Sequence, residues 1–129
     1  MAKICKVLIV EDNDGVRQML EDVFVGDGYD YVLAQNGIEM REAVAAHDDI
    51  DMLIIDVSLP GGTDGFVLAR EMADAGHAVL MVTGDHRHAE RIEKEGHHYL
   101  LKPFRIDSLL ALVAQVLQET RNTCQRRAS

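Results

Sequence analysis

Five side chains in this sequence could do chemistry together: Glu11, Asp12, Asp56, Thr83 and Lys102. Each closes an apolar run. Val7-Leu8-Ile9-Val10 leads into Glu11-Asp12, Met52-Leu53-Ile54-Ile55 into Asp56, Ala78-Val79-Leu80-Met81-Val82 into Thr83, and Tyr99-Leu100-Leu101 into Lys102. A lone Asp at a strand end is most often a cap or a solvated end. Three carboxylates brought to one place are different, because like charges at close range repel and call for a cation. Hard oxygen ligands open on one side suit Mg²⁺, which binds one or two carboxylates and a phosphate while keeping several waters. A lysine is a compact charge suited to a phosphoryl oxygen, and a threonine hydroxyl can donate to another. Together these are the parts that hold a phosphoryl group during its transfer to a carboxylate nucleophile.

The elements around them must bring those five together. Uninterrupted apolar runs read as strands buried on both faces, as inside a parallel sheet. Between them lie helical stripes: Val16, Met19, Leu20, Val23 and Phe24; Met40, Ala43, Val44 and His47; Phe66, Ala69, Met72 and Ala73, on a helix from about Gly65 to Ala75; and Ile106, Leu109, Leu110, Val113 and Leu117. A short polar helix is expected from Asp85 to Glu95, anchored by Ala89 and Ile92, and Tyr31-Val32-Leu33-Ala34 adds a further strand. Asn13 or Asp14 can cap the first helix. Strands and helices alternate five times, which predicts an α/β fold with a doubly wound parallel sheet and five flanking helices. The flavodoxin-like strand order 2-1-3-4-5 suits this pattern, and it places the first and third strand ends side by side in the crevice where such sheets bind ligands.

The chain has 129 residues, enough for one domain. Thirteen Lys and Arg against twenty-two Asp and Glu give a net charge of −9, which argues against nucleic acid or an anionic membrane as partner. No apolar run is long enough to span a membrane and the start has no signal-peptide core, so a cytoplasmic location is expected. Cys5 lies beside a strand and Cys124 in a polar tail, and no disulfide framework is implied. Residues 1–121 are expected to form the domain and 122–129 a flexible tail.

Val10-Glu11-Asp12-Asn13, Ile55-Asp56-Val57-Ser58-Leu59-Pro60, Val82-Thr83-Gly84 and Lys102-Pro103-Phe104 together resemble the receiver domain of two-component response regulators. The resemblance covers about residues 4 to 120. It implies that Asp56 is the phosphoacceptor, supplied by a histidine kinase or a histidine phosphotransfer protein. It implies Mg²⁺ held by Asp12, Asp56 and the Ser58 backbone carbonyl, with Glu11 reaching the ion through water. Lys102 would pair with the phosphoryl group, Thr83 would be the switch hydroxyl and Tyr99 the switch aromatic. The Lys102–Pro103 peptide would be cis. Such a protein catalyses only its own phosphorylation and dephosphorylation, and signals through a downstream protein that reads the face of helix four, strand five and helix five. A homodimer is left open.

Two departures stand out. Nine positions separate Asp56 from Gly65, one more than the commonest receiver spacing, because of Pro60-Gly61-Gly62. Only nineteen separate Thr83 from Lys102, about one helical turn fewer than usual. His86, His88, His97 and His98 lack the spacing of helix-borne metal ligands and read as solvated surface. Two other functions stay open: a binding module that keeps the fold without phosphorylation, and a small flavin electron carrier. Glu11-Asp12-Asn13-Asp14 would repel a flavin phosphate, and the chain has no Trp to flank the ring.

Overall fold

A run of buried residues from Met52 to Asp56 forms the centre of the sheet, flanked on both sides and covered on both faces. The structure, a computed structural model, describes residues 3–59, 64–120 and 124–128. In chain order the elements are β1 (Lys3–Ile4), β2 (Lys6–Val10), α1 (Asp14–Gly26), β3 (Asp30–Ala34), α2 (Gly37–Ala46), β4 (Met52–Asp56), α3 (Gly65–Asp74), β5 (Ala78–Thr83), α4 (His88–Lys94), β6 (His98–Leu101), α5 (Ile106–Glu119) and β7 (Cys124–Gln125). The main sheet is parallel throughout, in the order β3-β2-β4-β5-β6. Leaving aside the short β1, this is the expected 2-1-3-4-5 order.

Alternation along the strands divides the core into two layers. Leu8, Val10, Leu53 and Ile55 face α2, α3 and α4, packing with Met40, Phe66, Met72 and Ile92. Val7, Ile9, Met52 and Ile54 face α1 and α5, packing with Leu20, Phe24, Leu109 and Val113. Side-chain caps start three helices: Asn13 accepts from the Val16 N–H, Asn36 from Glu39 and Asp64 from Phe66. Truncating a fully buried residue such as Ile55 to Ala would cost about 2–5 kcal/mol.

The register positions the chemistry. Val10 lies opposite Ile55, Asp56 opposite Val82 and Thr83 opposite Leu101. Glu11, Asp56, Thr83 and Lys102 therefore leave the sheet at one edge.

Several expectations shift in detail. Ile106 is 47% exposed, because α5 reaches the core only from Leu109 onward, and Val116 takes the inner place. Leu68 joins the inner face of α3, which ends at Asp74. His47 closes α2 as a half-buried cap. Helix α4 begins at His88, because Asp85 turns the chain first by accepting from the Arg87 N–H.

The larger correction concerns the cysteines and the tail. Cys5 and Cys124 form a disulfide, with Cα atoms 4.8 Å apart. The polar end returns to the sheet's amino edge: β7 pairs with β1, the Cys5 N–H donates to the Gln125 carbonyl, and Arg126 and Arg127 pair with Asp27 and Asp30. Gly28, at φ +84°, is required there, because a Cβ would meet the Arg127 carbonyl oxygen at 2.6 Å. Hydrogen bonding and charge hold this segment without an apolar pattern.

Candidate functional site

The Lys102 ammonium stands between two buried carboxylates. Its Nζ donates to Asp56 Oδ2 at 2.6 Å and to Glu11 Oε1 at 3.0 Å. Asp56 is 6% exposed and Glu11 3%. Their remaining oxygens accept backbone donors, Asp56 Oδ1 from Ser58 N–H at 2.8 Å and Glu11 Oε2 from Asn13 N–H at 3.2 Å. Lys102 arrives from the end of edge strand β6 and is followed by a cis peptide bond to Pro103. Gly65 forms the wall behind Asp56: a Cβ there would meet the Asp56 carbonyl oxygen at 2.7 Å, so α3 starts in contact with the strand end.

Charge at this edge is unbalanced. Burial pushes the Glu11 carboxyl above its ordinary range, against the opposing pull of the Lys102 and Asn13 bonds, and the nearby Asp56 charge adds to the rise. Burial alone would lower the Lys102 ammonium, yet its bonds to Asp56 and Glu11 prevail and hold it above its ordinary value. One ammonium thus serves two acids, with a third beside them. Asp12 is exposed, and an oxygen from each of Glu11, Asp12 and Asp56 lies within 4.8 Å of the others. An all-oxygen set with net negative charge and one open side fits a hard divalent ion that keeps part of its water shell. Ser58 is adjacent and forms an antiparallel bridge with Asp64. Pro60-Gly61-Gly62, expected from the sequence to form a loop, lie outside the described residues.

Thr83 is brought to the same edge but is engaged elsewhere. Its buried hydroxyl lies 2.8 Å from His88 Nδ1 and accepts from the Asp85 N–H at 3.1 Å. Among the described residues, no hydrogen bond joins this hydroxyl to Asp56 or Lys102, although the Lys102 N–H donates to the Thr83 backbone carbonyl at 2.8 Å. Tyr99 is half-buried against the core layer that contains Phe66 and Ile92.

Sequence reasoning placed His88 on the solvated surface. The only signal was its position at the start of α4, where the Thr83-Gly84-Asp85 turn brings it back over the hydroxyl. Of the other histidines, His86 is exposed, His98 pairs with Glu119 at 2.7 Å, and burial lowers His97 below its ordinary range. The sheet's opposite end opens into a groove of about 520 Å³ lined by Asp51, His77, His97, His98 and Glu119, far along β4 from the acid cluster.

Comparison with known proteins agrees with this fold. The family model described as the response regulator receiver domain matches residues 7–114. The aerobic respiration control protein ArcA of Escherichia coli K12 is 34% identical over 120 residues, which cover 90% of this chain and 50% of that protein. The response regulator MprA of Mycobacterium leprae is 32% identical over 121 residues, covering 90% and 52%. This chain therefore spans about half the length of these curated relatives. Among solved structures, the chemotaxis protein CheY4 of Vibrio cholerae superposes with a TM-score of 0.78 at 26% identity, covering 88% of this chain and 98% of that one. A response regulator receiver domain protein from Clostridium thermocellum gives a TM-score of 0.80 at 26% identity, covering 89% and 95%.

Proposed function

The chain belongs to the response regulator receiver domain family, and on that premise we propose that Asp56 accepts a phosphoryl group from a phosphohistidine of a partner kinase or phosphotransfer protein. An Asp56 carboxylate oxygen forms the new O–P bond as the donor's N–P bond breaks, and the leaving imidazole keeps the electron pair and takes up a proton. Catalysis of this kind is mostly positioning and charge neutralisation. Ser58 N–H and Lys102 fix the two Asp56 oxygens, and Lys102 then follows the negative charge onto the phosphoryl oxygens. Glu11, Asp12, Asp56 and the Ser58 carbonyl would hold Mg²⁺, whose chemistry is to neutralise phosphoryl charge. What carries this reading is the gathering of three acids around one shared lysine at the strand ends.

The phosphoryl group adds charge and acceptor oxygens, drawing the Thr83 hydroxyl from the β5–α4 side toward Asp56. Tyr99 then packs inward, and the face made by α4, β6 and α5 changes shape for a downstream protein. On this reading the protein works in the cytoplasm and catalyses only its own phosphorylation and dephosphorylation. Incubation with phosphoramidate, a small N–P donor, tests it by intact mass. One added phosphoryl group is expected with Mg²⁺ and none with a chelator. Protein left unmodified under both conditions overturns the proposal and favours a binding module independent of phosphorylation.

A further inference from the structure

The switch hydroxyl has one proton to give, and the contacts around it limit where that proton can go. Asp85 N–H donates to one of the two lone pairs of Thr83 Oγ1. Two acceptors are left for the proton: His88 Nδ1 at 2.8 Å and the Asp85 carbonyl at 3.5 Å, the latter at the outer limit of a hydrogen bond. With its own proton on Nε2, the His88 ring takes it at the shorter contact, accepting at Nδ1. The ring is held in place, because its edge meets the Phe66 ring at 80° with centroids 5.7 Å apart. Phe66 is itself buried, and the Arg91 guanidinium carbon stands 3.8 Å from its ring centroid. Arg91 pairs with Glu95, which also pairs with Arg70 of α3.

We propose that His88 is a positioning residue for the switch: it competes with the phosphoryl group for the Thr83 proton and so holds the resting state. This inference rests on the phosphoacceptor reading of Asp56 and adds a residue to it. When Thr83 turns to the phosphoryl oxygen, His88 loses its donor. The first turn of α4, bound to α3 through Phe66 and Arg91, is released from the end of β5 in the same step. The short α4 is thereby coupled to the phosphoryl group through a side-chain bond at its first residue.

The test measures beryllofluoride affinity in Mg²⁺ for the wild type, His88→Phe and His88→Asn, each with Thr83 intact and with Thr83→Ala. Phe keeps an aromatic ring beside Phe66 and removes the acceptor, whereas Asn places an acceptor oxygen near the Nδ1 position. His88→Phe is expected to bind about fivefold tighter, the worth of one competing hydrogen bond, and His88→Asn to restore wild-type affinity. In the Thr83→Ala background all three should bind alike. Equal affinities with Thr83 intact, or a gain from His88→Phe that persists without the hydroxyl, overturn the latch. A wild type that binds no beryllofluoride overturns the phosphoacceptor reading and the latch with it. The ¹⁵N shift of His88 Nδ1 checks the wild type without any variant: an unprotonated nitrogen that changes on beryllofluoride addition supports the latch. A protonated or unresponsive nitrogen overturns it.

Discussion

One strand carries a buried aspartate at each end. Asp56 closes β4 at the acid cluster and Asp51 precedes it at the opposite edge of the sheet. Both are paired to a lysine at nearly the same distance, 2.6 Å to Lys102 and 2.7 Å to Lys3. Both also accept a backbone N–H, from Ser58 and from Lys6. Pairing and burial therefore do not separate the proposed phosphoacceptor from the aspartate at the other end. The neighbours do. Lys102 is shared with Glu11 and has Asp12 close by, so negative charge at that end exceeds positive. Asp51 is the one carboxylate that Lys3 pairs with among the described residues, Lys3 also donating to the Asp49 carbonyl. Asp51 faces the Cys5–Cys124 disulfide, and its Oδ1 has no hydrogen-bond partner among the described residues. Crowded acids make a place for a cation and an anionic group, and a solitary acid anchors two pieces of chain.

This contrast can be broken most directly by substitution. Asp56→Asn is expected to abolish phosphoryl uptake from acetyl phosphate, and Asp51→Asn to take up as much as the wild type, both read by intact mass. Modification of the Asp56→Asn protein would remove the distinction. Next in size is the disulfide, which ties the Asp51 end alone. Its reduction by dithiothreitol should cost about 2–4 kcal/mol in urea unfolding. Phosphoryl uptake, at the other end of the strand, should not change.

A smaller effect concerns the ion. At ten times its dissociation constant, Mg²⁺ should stabilise the wild type and Asp51→Asn by about 1.4 kcal/mol and Asp56→Asn by much less. Equal stabilisation of all three would place the ion elsewhere.

The weakest effects are in pH, and the two ends differ in sign. His97 lines the groove at the Asp51 end, and burial holds it below its ordinary value. As pH falls below about 6.5 the unfolded chain takes up that proton first, so stability is lost until the pH has passed through the folded-state value. Replacing His97 with Gln should flatten that part of the profile. Glu11 is raised by its burial, so without metal the folded chain takes up its proton first on acidification. The stabilisation it contributes is complete below about 4.5 and is lost as pH rises through the raised folded value. Glu11→Gln should remove this contribution from the profile of unfolding free energy against pH.

The chemical end was legible because every residue there terminates an apolar run, and topology then carries strand ends to one edge. Glu11, Asp12, Asp56 and Lys102 meet as the pattern implies. Ile106 and Val116 were misplaced because periodicity gives a helix its stripe without saying where along its length the helix first touches the sheet. His88 was missed because its contact depends on a turn between Thr83 and α4 rather than on a repeat. Cys124 was the least legible: its partner lies 119 positions away, and the segment around it is held by charge and backbone pairing that leave no hydrophobic signature.

That last closure has a mechanical side. Tension applied to the chain beyond positions 5 and 124 passes directly through one sulfur–sulfur bond. While that bond is intact the enclosed sheet is bypassed, and a single-molecule pulling trace should show no extension from its unravelling. Added reductant should let the enclosed polypeptide lengthen under the same force.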